Sequence, residues 1–600
     1  MSMAQTMGNE WILPNQKYFK IPVAKNGIYR LDFSSLINAA TDMKMDLTTV
    51  NPKKWQMYCN GIEVPIYVAG ESDNIFNSSD FIEFFGKGND GSLDQALFEN
   101  PNDLANTAGS MYTDTAYYFL TCLPGSSAST PWHMTQYRNS AYANFTVEPY
   151  CWVESLVKYT DEYNRGQKAL VSSSESENPD YTRAEGYCSQ YFGNGNNYTA
   201  LNLALSTKLL ANSGPMAKLN FSVVGGSNQL AIQNDHHLKL YSSTDNFSFQ
   251  TEFDTTYEGF DIIKKSLDLP LNRLSNQSTY FKFESQFISG VTYQAHAINY
   301  AKLQYPRQLD LDNLPRLGFA LYGNNSPRHL DWKNLPNNFK SAIVYDLNNG
   351  VRMRTEKYNS NSARCIVPPS NGLSQYWICD SSDIVYLQPY QIAAGISSET
   401  TYDSLLTFDP KTSINQNKMI VVSHPKLMGE TMQDFVAYKN TTAHTSPCKS
   451  ISIQTLYNHF SYGIPHPIAL QRYIQYLLKQ GDTTLKFMLL VGRGYQSNLV
   501  RSNNLNKNLV PAIGVPASDN LFSCMQKDSN LVPAIATGRL SIDQEKDLSI
   551  YLNKLKTYDA QQDALWRKQC LHLAGGDNFC LLYTSPSPRD VEESRMPSSA

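Results

Sequence analysis

The sequence predicts a multidomain protein. β-rich N-terminal domains of the sandwich or jelly-roll type lead into an incomplete α/β domain. Three observations carry this reading. Six hundred residues are too many for one hydrophobic core. Up to residue 410 the chain is written in short alternating runs separated by Asn/Ser/Gly loops. Beyond it, continuous apolar runs alternate with helical stretches, as in a mostly parallel sheet covered on both faces. The resulting division is 1–14 as signal-peptide remnant and lead-in, 15–140 as an all-β domain and 141–307 as a β-sandwich-like domain. It continues with 308–410 as a small β domain, 411–578 as the first part of the α/β domain and 579–600 as a non-native or disordered tail.

In the first domain, Tyr18–Val23 and Ile28–Phe33 flank Asn26-Gly27, and Trp55–Tyr58 and Ile62–Val68 flank Asn60-Gly61. Asn-Gly tolerates the positive φ of a two-residue turn, so both pairs predict hairpins. Phe81–Phe85 and Ala116–Thr121 are further strands. The evenly spaced runs Leu201–Leu205, Leu219–Val224 and Leu238–Tyr241 predict a sandwich or jelly roll, and Ala342–Tyr345 and Tyr376–Cys379 a further strand cluster. Near 415 the grammar changes. Met419–Val422, Phe487–Val491 and Cys570–Ala574 are buried-strand runs, and the apolar positions 470, 473, 474, 477 and 478 trace one helix face that Gly481 terminates. Ser541-x-x-Gln544 predicts a capping box opening a helix with Leu548, Leu552 and Leu555 on one stripe.

Charge excludes several functions. Fifty basic against fifty-four acidic residues leave a net charge of −4, with no basic footprint for nucleic acid or an anionic membrane surface. With 41% hydrophobic residues and 38 Tyr the chain is not generally disordered, and no apolar run is long enough to span a membrane. The ten cysteines form no CxxC and no zinc-type Cys/His spacing, so most are expected to be small buried thiols.

Several motifs could carry chemistry. Gly492-Arg493-Gly494 lacks a third glycine and a Walker lysine and reads as a tight strand-to-loop turn. Asp310-x-Asp312-Asn313 lacks the glycine and distal glutamate of a calcium loop and reads as a solvated turn; no cofactor is required, and calcium is left open. His236 and His237 would point to opposite faces of a strand. His424, before Pro425 at a strand end, reads as a turn residue, and His466, between two prolines at a helix start, as exposed. For a thiol nucleophile, Cys524 and Cys570 lie in the α/β region, but Cys570 and His572 would share a buried strand face, which suits packing.

The α/β segment resembles the gingipain-type cysteine peptidase family. The resemblance rests on His424-Pro425, Leu456–Gly463 before the 468–478 helix, Leu489–Gly492, Ser518-Asp519-Asn520, Gly538-Arg539-Leu540 and Lys554–Tyr558, in this order and spacing. It departs at Arg493 and His459, where the family usually carries Asp and Glu. Upstream, Asn26–Arg30, Asn60–Pro65, Asp80–Gly86, Tyr112–Thr121, Tyr305–Arg307 and Ile343–Asp346 resemble the β region that precedes the peptidase in type IX secretion sortases. The resemblance implies an exported, surface-exposed cysteine endopeptidase and transpeptidase. It would remove C-terminal signals from secreted cargo proteins and attach the cargo to a surface glycolipid, working with outer-membrane secretion partners. The family's catalytic His lies in a Gly-His-Gly segment with the Cys after it, both following the strand that Leu571–Gly576 resembles. This sequence has no Gly-His-Gly, and both residues are expected beyond Asn578, so no catalytic residue is assigned and neither His572 nor Cys580 takes the place.

Both ends shape this expectation. Ser2-Met3-Ala4 is a small-x-small triplet of the signal-peptidase type, so Met1 is expected to lie within a longer signal peptide; the alternative is an ordinary cytosolic start. The Ser/Pro-rich stretch from Leu581 resembles translated adapter read-through, against the alternative of a native linker. The expected product is therefore a fragment of a peptidase, inactive as it stands. The other reading is a non-enzymatic surface protein whose β-sandwiches bind glycan or cell-wall polymer and whose α/β piece is vestigial.

Overall fold

The computed structural model describes residues 7–13, 16–167, 169–171, 174–176, 179–396, 409–501, 504–524, 532–561, 566 and 569. The chain divides into two compact units, 1–545 and 546–600.

The first unit begins with two facing sheets. One has the strand order Ala393–Ile396, Tyr18–Val23, Ala116–Cys122, Trp55–Cys59, Ile62–Val64. The other runs Val385–Tyr386, Gly27–Asp32, Phe81–Gly86, Ile66–Ala69. Phe19, Ile21 and Trp55 of the first sheet meet Leu31, Ile82 and Phe84 of the second in one core. A helix, Phe33–Asp42, adds Leu36, Ala39 and Ala40 to that core. Asp32 starts it by accepting the Ser35 N–H at 2.8 Å.

Of the two expected hairpins, one forms. Asn60 and Gly61 both take positive φ, 49° and 76°, and Cys59 pairs with Ile62 across them. Tyr18–Val23 and Gly27–Asp32 instead belong to different sheets, because neither Asn26 nor Gly27 adopts the positive φ that would fold one strand back on the other. The run Ile62–Val68 is also divided: Pro65 cannot donate a ladder hydrogen bond, and the residues on its two sides pair in separate sheets.

A nine-stranded sheet runs through both the 141–307 and the 308–410 stretches. Its order is Ile262–Leu269, Ala217–Gly225, His296–Arg307, Cys151–Lys158, Arg316–Leu321, Ser374–Asp380, Ala342–Asp346, Val351–Arg354, Thr135–Tyr137. Leu219, Phe221 and Leu303 of the long sheet share a core with Leu203, Leu240 and Phe283 of a four-stranded sheet built from Ala200–Ser206, Ser278–Ser285, His236–Ser243 and Gln250–Tyr257. Val344 and Ile378 of the same long sheet join Leu330, Trp332 and Cys365 of a three-stranded sheet in that core. Buried Glu83 bolts the long sheet to the first domain, accepting from Arg30, from Tyr345 at 2.9 Å and from Arg352 at 3.1 Å.

The α/β part is a fully parallel sheet in the order Cys448–Ser452, Met419–Ser423, Phe487–Val491, Ala536–Leu540. Every residue of Met419–Ser423 is buried, which accounts for its uninterrupted apolar run. Helices Glu430–Asn440, Ile453–Phe460 and Ile468–Lys479 accompany the sheet, and the last ends as expected at Gly481, with φ 82°. The helix anticipated from Ser541 begins four residues later, at Glu545, and runs to Asp559, so Ser541 does not cap it. Leu548 and Leu552 are its buried positions. The anticipated strand Cys570–Ala574 and the 579–600 tail lie outside the described residues. No described helix is long and apolar enough to cross a membrane.

Candidate functional site

In a parallel α/β sheet, ligands gather where the strands end at their carboxyl edge. Here that rim is formed by Ser423-His424, Ser452, Val491–Gly494 and the chain after Leu540. Ser423 ties two strand ends together through an Oγ–H bond to the Val491 carbonyl at 2.8 Å. His424 caps the turn Pro425–Leu427, its Nδ1 accepting the Lys426 N–H at 3.1 Å, in keeping with the expected turn role. Burial, with a lesser push from Lys426, holds the imidazole below its ordinary pKa. A neutral ring accepting at Nδ1 carries its proton on Nε2.

Gly492 turns the chain off the third strand with φ 144°, and a Cβ there would meet the Val510 side chain at 2.9 Å. A Cβ on Gly494 would lie 2.7 Å from the Val510 carbonyl. The two glycines thus let the 509–511 segment close over the rim, which explains the motif without a phosphate. Arg493 between them is half-exposed and pairs with Asp543 at 2.8 Å.

Arg539 holds this arrangement from beneath. Its Nε and Nη2 bond both oxygens of Asp519 at 2.7 Å, and its remaining donors reach the carbonyls of Gly492 and Val510 at 2.8 Å and Pro511 at 2.7 Å. Asp519 and Arg539 lie in separate sequence motifs, and their pairing leaves no mark in spacing or periodicity.

A second set of contacts fixes the α/β sheet to the β region. His466 is fully buried, not exposed as expected, because the 94–112 segment packs over its helix start. The Ile468 N–H occupies its Nδ1 at 3.2 Å, and its Nε2–H donates to Asp94 at 3.0 Å. Asp94 also accepts the Met111 N–H at 2.6 Å. Tyr112 and Tyr181 share a hydroxyl contact, and both reach Ser497 Oγ, at 3.1 and 2.6 Å. Lys20 donates to Asn458 at 2.8 Å, and Asn458 in turn donates to the Gly395 carbonyl at 2.7 Å. Nearby, Glu185 accepts from Tyr163 at 2.7 Å, and burial pushes its carboxyl up to about 8.

The remaining candidates fall as follows. Cys524 is buried with its thiol pushed above the ordinary value by burial, the opposite of nucleophile activation. The eight described cysteines are free thiols, and six of them are buried. His236 is buried and His237 half-exposed, on opposite faces as expected. Asp310, Asp312 and Asn313 form a turn with positive φ at the last two, and Lys208 pairs with Asp312. Among the described residues no group of three or more His, Cys, Asp or Glu could hold a metal ion. His459, where the resemblance calls for Glu, is buried and lowered to about 4 by desolvation. Cys570, His572, Cys580 and the expected positions past Asn578 lie outside the described residues.

Residues 412–597 match the family described as Peptidase family C25. The crystal structure of dimeric latent PorU from Porphyromonas gingivalis is similar at a TM-score of 0.54 and 14% identity, over 92% of this chain and 50% of that chain. At that identity the likeness is one of fold, and this chain spans about half the length of that relative. The CBM36-1 domain of a multidomain xylanase from the hindgut metagenome of Trinervitermes trinervoides matches 25% of this chain and 96% of its own at 9% identity; its TM-score of 0.15 supports no argument. No curated protein matches the sequence.

Proposed function

We propose that the chain is part of an exported cysteine-type endopeptidase and transpeptidase of the cell surface. In this reading it removes the C-terminal signal of secreted cargo and joins the new carboxyl end to a surface glycolipid. The observation that carries the reading is the C25 segment at 412–597 mounted on a β region whose fold follows PorU. In chemistry of this class a thiolate attacks the scissile carbonyl, the C–N bond breaks, and the amine leaves with a proton supplied by histidine. An acceptor nucleophile then displaces the thiolate from the thioester. What the described rim offers is positioning: His424 Nε2–H and the Arg493 guanidinium stand at the carboxyl edge, and Arg539 fixes the loop that bears Arg493.

Disrupting the gene in its source organism tests the proposal. Cargo should accumulate with its C-terminal signal uncut and without a glycolipid anchor, as read by mass spectrometry of the secreted fraction. Normal trimming and anchoring in the disrupted strain would overturn it.

A further inference from the structure

One end of the four-stranded sandwich sheet carries three loops, 190–199, 226–234 and 286–294, beside the acidic turn 258–261, where Glu258 accepts the Asn234 N–H; the composition of the three loops is unusual. In a chain that is 17% charged, none of these residues is Asp, Glu, Lys, Arg or His, while ten are Asn or Gln. From these three loops large apolar side chains stand out: Tyr198 is 55% exposed, Phe287 80%, Tyr293 44% and Leu230 65%. The loops are tied together as well as adjacent. Asn194 donates to the Val291 carbonyl at 3.1 Å, Asn196 to that of Gln294 at 2.6 Å and Gln229 to that of Gly290 at 3.0 Å. The Tyr293 hydroxyl donates to Asn196 at 3.1 Å. Below them, buried Asp235 holds the Gln229 N–H at 2.6 Å and pairs with His236 at 2.8 Å.

We propose that this loop end binds a neutral oligosaccharide. Exposed rings give flat apolar faces on which the C–H face of a pyranose can stack, and amides both donate to and accept from sugar hydroxyls. Exposed apolar side chains on neighbouring loops mark a binding site, and here the cross-loop bonds fix the loops that carry them before any ligand arrives. The three loops offer no cationic side chain and the adjoining turn is acidic, which argues against nucleic acid, phosphorylated or uronic glycans and anionic membranes, each of which calls for cationic partners. The density of amides, more than an apolar protein interface requires, favours a sugar over a polypeptide. The site lies outside the α/β segment, so this inference stands or falls separately from the peptidase reading.

The test is a panel of neutral gluco-, manno-, galacto- and xylo-oligosaccharides offered to the full chain, followed by calorimetry on the retained ligand. Binding is expected to be weakened about tenfold or more by Tyr198→Ala or Phe287→Ala, restored by Phe287→Trp, and unchanged between about 0.05 and 0.5 M salt. Circular dichroism and melting of each variant must match the parent, which separates a lost site from a lost fold. Failure of every neutral glycan to bind, binding indifferent to these substitutions, retention of acidic polysaccharides alone, or loss of a polypeptide ligand on the same substitutions would each overturn the proposal.

Discussion

The junction of the α/β sheet with the β region and the loop end of the sandwich use the same residue types, Tyr and Asn, to opposite ends. At the junction these groups are buried and spend their hydrogen bonds on one another: Tyr112 and Tyr181 on Ser497, Asn458 on Lys20 and Gly395. At the loop end the amides brace the backbone while the rings face solvent. A polar group taken out of water must be paired or it costs stability, whereas an exposed ring leaves stability nearly untouched and is free to meet a ligand. The first region should therefore respond to substitution in stability, the second in binding.

The comparison is sharpened most by Asp94→Ala. It strands the Nε2–H of His466, the Met111 N–H and the Ser110 hydroxyl, and should lower unfolding free energy by about 3–5 kcal/mol, read as a shift in denaturant midpoint at unchanged m-value. Arg539→Ala should follow, at about 2–4 kcal/mol, because Asp519 and three carbonyls lose their donors together.

The junction should also titrate. Glu185 has a folded pKa near 8, above the unfolded carboxyl value, so its contribution is complete at acid pH and is lost as pH rises through 8. His459, lowered to about 4, acts in the other direction: its stability is present above the unfolded imidazole value and is lost as pH falls toward 4. Glu185→Gln should flatten the decline on the alkaline side, a loss on the order of a few kcal/mol in the parent, and leave the acid limb in place. A pH–stability profile of the two proteins checks both limbs.

Ser497→Ala, which removes one hydroxyl from the tyrosine cluster, should cost about 1–2 kcal/mol. The smallest effects belong to the surface. Tyr198→Ala and Phe287→Ala should change stability by less than about 0.5 kcal/mol, and Arg493→Ala by less than about 1, since Arg493 and Asp543 are both partly solvated. A large loss at Phe287 would break the contrast between the two regions.

Much of the fold was legible from local pattern. The Asn60-Gly61 hairpin, the Gly481 helix stop and the switch from alternating to continuous apolar runs each express a constraint that a few consecutive residues satisfy alone. What misled was also local. Asn26-Gly27 permits a tight turn but does not compel one, and the partners of its flanking strands come from 385–396 and 81–122, far along the chain. His466 looked exposed because nothing near it in sequence announces that Asp94, in a distant loop, covers it. Within the candidate site, His424 and the two glycines could be read as turn residues, while the Arg539–Asp519 brace depended on strands brought together by the sheet.

By itself, then, the sequence determined the kinds of element, the place where β gives way to α/β, and the family model that the last segment matches, because period, turn chemistry and motif order are properties of neighbouring residues. Only the tertiary structure decided which strands share a sheet, which histidine is buried and which aromatics remain in water. Those outcomes depend on desolvation, and desolvation is set by what the rest of the chain packs against each residue.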